Sequence, residues 1–186
     1  MLVFLCGRHA SGKTSIRNEL ERQGIISFNG PEIGKRLYYK RKFSPEAQGP
    51  KFELEVAHLE LERDNSLVEC DGITMVETWH PGNMAYAQVR NPEILSDLKD
   101  IAEKSPFLHE AHGIWLRISN DALKERTKTF ADDPEKAAKF YQQIDDSIGP
   151  CLDILKLRSR TVSIQAEGPL EEVIQAVKIT IQNFSS

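Results

Sequence analysis

The stretch Cys6-Gly7-Arg8-His9-Ala10-Ser11-Gly12-Lys13-Thr14-Ser15 decides how the chain is read. It carries the spacing G-x-x-x-x-G-K-T, a phosphate-binding loop. Gly7 and Gly12 let the backbone turn tightly and approach a phosphate with no Cβ in the way. The amides of Arg8, His9, Ala10 and Ser11 line a concavity suited to an anion. His9 takes a variable position, where backbone rather than side chain is expected to contribute. Lys13 brings a positive charge to β- and γ-phosphates, and the Thr14 hydroxyl suits a magnesium ion. A helix opening near Lys13, running on through Ser15, adds its positive dipole end at the same spot.

The surroundings fit the motif. Met1-Leu2-Val3-Phe4-Leu5 is an apolar run of strand character. Beyond the loop, Ile16 and Leu20 share one helical face, and Gly24 offers a stop. Strand, glycine loop and helix follow in the required order.

A chain of 186 residues argues for a single domain. The formal charge of −4 gives no global sign of a nucleic-acid binder. Cys6, Cys70 and Cys151 are isolated and odd in number, as expected of free thiols in a reducing compartment. His109 and His112 form a close pair, better read as a solvated helix end than as metal ligands. No apolar run approaches a membrane span, and the first strand starts at Met1. A cytoplasmic location is the resulting expectation.

Further strands are expected at Ile25–Phe28, Ile73–Thr78, Gly113–Ile118 and Arg160–Gln165. Helical stretches separate them. One begins near Glu32 with a basic cluster from Lys35 through Arg36 to Lys42, and one runs from Phe52 to Arg63. Others cover Met84–Arg90, Pro92–Lys104, Asp121–Phe130, Glu135–Ile148 and Pro169–Phe184. Ser44-Pro45 and Gly49-Pro50 punctuate the first interval, and Trp79-His80-Pro81-Gly82-Asn83 is expected to be a turn-rich loop. Strands alternating with helices predict an α/β fold, a five-stranded parallel sheet with helices on both faces.

This layout, with its phosphate-binding loop after the first strand, resembles the P-loop small-molecule kinases, above all the nucleoside and nucleoside-monophosphate kinases. The resemblance covers nearly the whole chain in layout, while only the first loop is specific as a motif. It implies ATP and Mg2+, a helical acceptor insert at about residues 29–71 and a helical lid at about 123–140. The loop after strand three departs from the acidic-Gly-x-Pro-Arg pattern of adenylate-kinase relatives. The lid is poor in arginine, with Arg126, Lys124, Lys128 and Lys139 as its cations.

Glu77 follows the apolar third strand, an arrangement suited to the magnesium shell or to accepting a proton. Lys13, Glu77 and Arg126 are the expected catalytic residues, and Thr14 with Glu77 the expected metal ligands. On the acceptor side stand Glu32, Lys35, Arg36 and His80. Glu32 either meets an acceptor hydroxyl, as the resemblance implies, or is an acid favoured by a helix dipole. The cluster from Lys35 to Lys42 grips an acceptor phosphate, contacts nucleic acid, or is a solvated face. His80 and Trp79 either shape the acceptor pocket or pack a loop. The leading reading is transfer of the ATP γ-phosphoryl to a small acceptor, with a lean towards a nucleoside monophosphate over a nucleoside or similar metabolite. The alternatives are a polynucleotide-end kinase and a non-catalytic nucleotide switch; the absence of N/T-K-x-D weakens a guanine-reading switch.

Overall fold

A computed structural model describes residues 1–41 and 49–185. Strands β1 (Leu2–Gly7), β2 (Phe28–Gly30), β3 (Thr74–Glu77), β4 (His112–Arg117) and β5 (Thr161–Gln165) form one sheet in the order β2-β3-β1-β4-β5. Every pairing is parallel. The helices are α1 (Lys13–Arg22), α2 (Ile33–Lys40), α3 (Pro50–Ser66), α4 (Trp79–Arg90), α5 (Leu95–Ala102), α6 (Asn120–Thr127), α7 (Pro134–Ile154) and α8 (Leu170–Phe184).

The expected two-sided sheet is present, and β1 shows why its sequence lacks alternation. Leu2, Phe4 and Cys6 enter one core with Trp79 and Met84 of α4, Leu98 of α5 and Ile148 of α7. Val3 and Leu5 enter the other with Ile16 and Leu20 of α1 and Val173 and Val177 of α8. Both faces are covered, so both sets of side chains must be apolar. The chain leaves β1 towards β3 and β2 on one side, then towards β4 and β5 on the other. That reversal opens a crevice at the carboxyl end of β1. The register sets Leu5 beside Glu77 and Gly7 beside Leu116, which brings the phosphate-binding loop and Glu77 to the same edge.

Three local expectations are corrected. The second strand is Phe28–Gly30 rather than Ile25–Phe28. Ile26 still enters a core, but the ladder with β3 starts at Phe28 opposite Thr74. Gly30 belongs to the strand because a Cβ there would lie 2.7 Å from the Val76 side chain. Trp79–Asn83 is the first turn of α4 instead of a loop. Pro81 is tolerated because the first helical N–H groups have no intrahelical partner to lose. Finally, α7 continues through Pro150 to Ile154, beyond the expected end at Ile148. Burial of Cys151 and Leu152 in the core outweighs the backbone hydrogen bond that Pro150 forfeits. Lys42 and Ser44-Pro45 lie outside the described residues.

Candidate active site

The loop between β1 and α1 has the backbone its glycines suggested. Gly7 has φ 134°, and a Cβ there would lie 2.3 Å from the Leu116 carbonyl oxygen. Gly12 caps α1 with φ 92°, and Ala10 is held at φ 60°. No side chain caps α1, so its first amides are left to a ligand. Lys13 Nζ donates to the carbonyls of Gly7 and Arg8, each at 2.9 Å. An ammonium has three N–H bonds, so one remains for an anion. The Ser11 hydroxyl is buried with no hydrogen-bond partner in the protein. Thr14 and Ser15, at the start of α1, are exposed.

Two loop side chains have work that the motif did not announce. Arg8 turns away from the crevice: its Nη1 donates to Asn120 at 2.6 Å, and its Nε lies 3.1 Å from Asp145 of α7. Asp145 also accepts from the Trp115 indole at 2.9 Å. Arg8 therefore offers a phosphate its backbone, and its guanidinium anchors the loop. His9 stacks on Tyr141 at 4.9 Å and meets Phe130 edge-on at 4.8 Å. Burial, reinforced by Lys13 and Lys35, lowers its pKa to about 4, so the ring is neutral near pH 7. Arg126 of α6 lies over the loop. Its Nη1 donates to Ala10 O at 2.7 Å and its Nη2 to Ala166 O at 3.2 Å.

Glu77 closes β3 and is 2 % exposed. Arg17, one helical turn beyond Lys13, sits 3.4 Å from its Oε1, an oxygen that accepts no hydrogen bond. A hydroxyl and a carboxylate oxygen at the mouth of the loop are a donor set that fits magnesium, which takes one or two protein ligands and completes its shell with water and phosphate oxygens. Among the described residues no cluster of three or more His, Cys, Asp or Glu could hold a metal by itself.

Beside the loop lies a cavity of about 600 Å³. His9, Phe130 and Tyr141 form one wall; Tyr38, Phe52 and Tyr86 are among the residues of the others. Glu32 and Lys35 face it from the start of α2. Glu32 is half-buried, and its carboxyl is raised above the ordinary range by burial. Lys13 opposes that rise and Glu77 adds to it, so the three charges sense one another at the mouth of the loop. Glu53 and Arg90 also line the cavity as a 2.8 Å ion pair, with Asn91 donating to Glu53 at 3.4 Å. Burial raises the Glu53 carboxyl to about 7 against the pull of Arg90.

The expected acceptor residues thus separate. Glu32 and Lys35 line the cavity, while Arg36 is exposed and outside the lining. His80 does not face the cavity. It is 2 % exposed, with Nε2 at 3.2 Å from Asp64 Oδ2, which also accepts from the Trp79 indole and the Ser105 hydroxyl. The His80 and Trp79 pair is a packed element, the plainer of the two readings of that stretch. The aromatic wall was missed, because Phe52, Tyr86, Phe130 and Tyr141 come from four separate segments and share no motif. Arg17 had a signal: it lies four residues after Lys13, on the same helical face.

No protein-family model matches the chain, and no curated protein matches it by sequence. Solved structures do. The NadR protein in complex with NR superposes with a TM-score of 0.73 at 11 % identity, over 98 % of this chain and 50 % of that one. The chain thus spans about half the length of NadR. Deoxyadenosine kinase from M. mycoides with bound dATP gives 0.68 at 11 % identity, covering 98 % of this chain and 100 % of that one. Shikimate kinase from Aquifex aeolicus gives 0.54 at 19 % identity, covering 100 % and 98 %. The chain has the α/β fold of the P-loop nucleoside and small-molecule kinases.

Proposed function

We propose that the chain transfers the γ-phosphoryl of ATP to a hydroxyl of a small, ring-bearing acceptor of the nucleoside type. One observation carries this reading: an aromatic-walled cavity opens onto the phosphate-binding loop, with Glu32 where the two meet. A heteroaromatic ring gains from stacking against such a wall. An acid beside the loop whose pKa is raised by burial is a stronger base than an ordinary carboxylate, which suits it to take a hydroxyl proton. Of the structural neighbours, NadR is in complex with NR and the deoxyadenosine kinase has bound dATP.

The acceptor oxygen attacks the γ-phosphorus, the bond to the β-bridging oxygen breaks, and ADP leaves with the electron pair. Glu32 takes the acceptor proton. Lys13 and the amides opening α1 meet the charge on the transferred group. Magnesium, held at Thr14 and Glu77, would neutralise phosphate charge. Arg126 holds α6 against the loop.

The cavity favours a neutral acceptor over the nucleoside monophosphate that the basic cluster suggested. Among the described residues, Lys35 is the lining cation with no acidic partner, since Arg90 is held by Glu53. A second phosphate would be under-neutralised there, and burying unpaired charge is costly. The test is transfer of label from γ-labelled ATP to matched nucleosides, their 5′-monophosphates and shikimate-like hydroxy acids. Label in the nucleosides, abolished by Glu32→Gln, is expected. Transfer confined to the monophosphates, or unaffected by Glu32→Gln, overturns the reading.

A further inference from the structure

Of residues 7–15, His9 alone has a place in the wall of the cavity. The amide of residue 9 would serve a phosphate whatever its side chain, so the phosphate does not explain the imidazole. The backbone is pinned on both sides of it. Before it, Arg8 is held by Asn120 at 2.6 Å and by Asp145 at 3.1 Å. After it, Ala10 takes φ 60°, and its carbonyl accepts from Arg126 at 2.7 Å. The ring itself stacks on Tyr141 at 4.9 Å with an interplanar angle of 16°, and Phe130 meets it at 4.8 Å. Tyr141 and Asp145 lie one helical turn apart on α7, so one helix fixes both Arg8 and the ring of His9.

These are ring contacts, and no hydrogen bond joins a His9 ring nitrogen to another described residue. A neutral imidazole offers one N–H donor and one lone pair. A hydroxyl offers the same two functions, whereas a phosphate or carboxylate lacks the donor and an ammonium lacks the lone pair. The match is to an alcohol. The loop holds the phosphoryl group that is transferred, so the part of an acceptor that reaches His9 is the part next to its reacting hydroxyl. In a nucleoside that part is the sugar. We propose that His9 is an acceptor-binding residue: its imidazole, held in place by Tyr141 and Phe130, hydrogen-bonds a second, non-reacting hydroxyl of the acceptor sugar and so selects a ribonucleoside over the corresponding deoxynucleoside. This rests on the reading of the cavity as the acceptor site. The phosphate-binding loop then serves both substrates, with its amides on ATP and one side chain on the acceptor.

His9→Phe keeps an aromatic ring against Tyr141 and Phe130 and removes both nitrogens. Calorimetry in the presence of ADP and magnesium reads acceptor binding without turnover. The probes are adenosine, guanosine, cytidine and uridine, each with its 2′-deoxy and 3′-deoxy forms. For the ribonucleoside that binds best, His9→Phe should weaken binding about tenfold, the scale of leaving one hydroxyl unpaired, with ADP affinity within about twofold of wild type. One of its two deoxy forms should bind wild type about tenfold more weakly and lose nothing further in His9→Phe, because the partner of the imidazole is already gone. Equal weakening of all three forms shows that His9 only packs the wall and overturns the proposal. Unchanged ribonucleoside affinity in His9→Phe, or no nucleoside binding to wild type, overturns it as well. Failure of the phosphotransfer reading looks different: nucleosides would bind with the His9 coupling and accept no label from γ-labelled ATP, which leaves the contact standing.

Discussion

At the residue scale, the phosphate-binding loop was legible because each position has a narrow chemical requirement. Gly7 has the Leu116 carbonyl where a Cβ would go, and Lys13 holds two loop carbonyls with a donor to spare. Lys13→Ala should lower kcat about a hundredfold or more, the scale of losing one preorganised charge, with the thermal midpoint near wild type. Steady-state kinetics beside a melting curve checks both. Thr14 and Glu77 are argued to share one ion. Thr14→Val and Glu77→Gln should each weaken the magnesium dependence, and the double variant should cost less than the sum of the two, because residues acting as a unit are not additive. Gln is the right probe at Glu77, since a smaller residue would strip Arg17 of its buried partner. The side chains of Arg8 and His9 were not legible. Their partners Asp145, Phe130 and Tyr141 are more than a hundred residues away in sequence, and nothing local marks the meeting.

At the element scale, continuous apolar strands and amphipathic helices were readable because burial on one face or two imposes a period. The errors fall where a tertiary contact overrides a local signal. Pro81 and Gly82 look like a turn, yet the buried Trp79 and the Asp64 hydrogen bonds fold them into α4. Ile25 and Ile26 look like a strand, yet the β3 ladder takes the residues that follow. The interval at about 123–140 pointed to Arg126 as a cation but not to its bonds. Through Ala10 and Ala166, Arg126 ties α6 to both the phosphate-binding loop and the segment after β5. Arg126→Ala should therefore raise the KM for ATP and lower kcat, each about tenfold, since charge-assisted hydrogen bonds are worth more than neutral ones. The acceptor KM should stay within about twofold, because Arg126 is not in the cavity lining. Initial rates with each substrate varied in turn separate the two.

At the scale of the whole molecule, the sequence predicts one sheet with two cores but not the acids that α3 buries between its neighbours. Glu60 is fully buried, and burial raises its carboxyl from 4.5 to about 8 even with Arg63 alongside and Asp64 pushing it higher. Glu53 is raised to about 7. A carboxyl raised in the folded state binds a proton that the unfolded chain has already released. Its stabilising effect is complete below about pH 4.5 and is lost as pH rises through the folded pKa. Asp64 does not vary in that window, because burial is outweighed by His80 and Ser105 and its carboxyl lies below the ordinary value. His9, lowered to about 4, works in the opposite sense, but only below its unfolded value of 6.5. The interval above 6.5 therefore isolates the buried acids. While the extra proton is held, stability falls by about 1.4 kcal/mol per pH unit for each group. Urea midpoints should drop between pH 6.5 and pH 8.5. Glu60→Gln keeps an acceptor for Arg63 without a titrating proton, so it should flatten the profile above pH 7 and be the more stable protein at pH 8.5. A wild-type midpoint that is level across the interval, or a Glu60→Gln profile as steep as wild type, would show that Glu60 is ionised throughout and that Arg63 neutralises it.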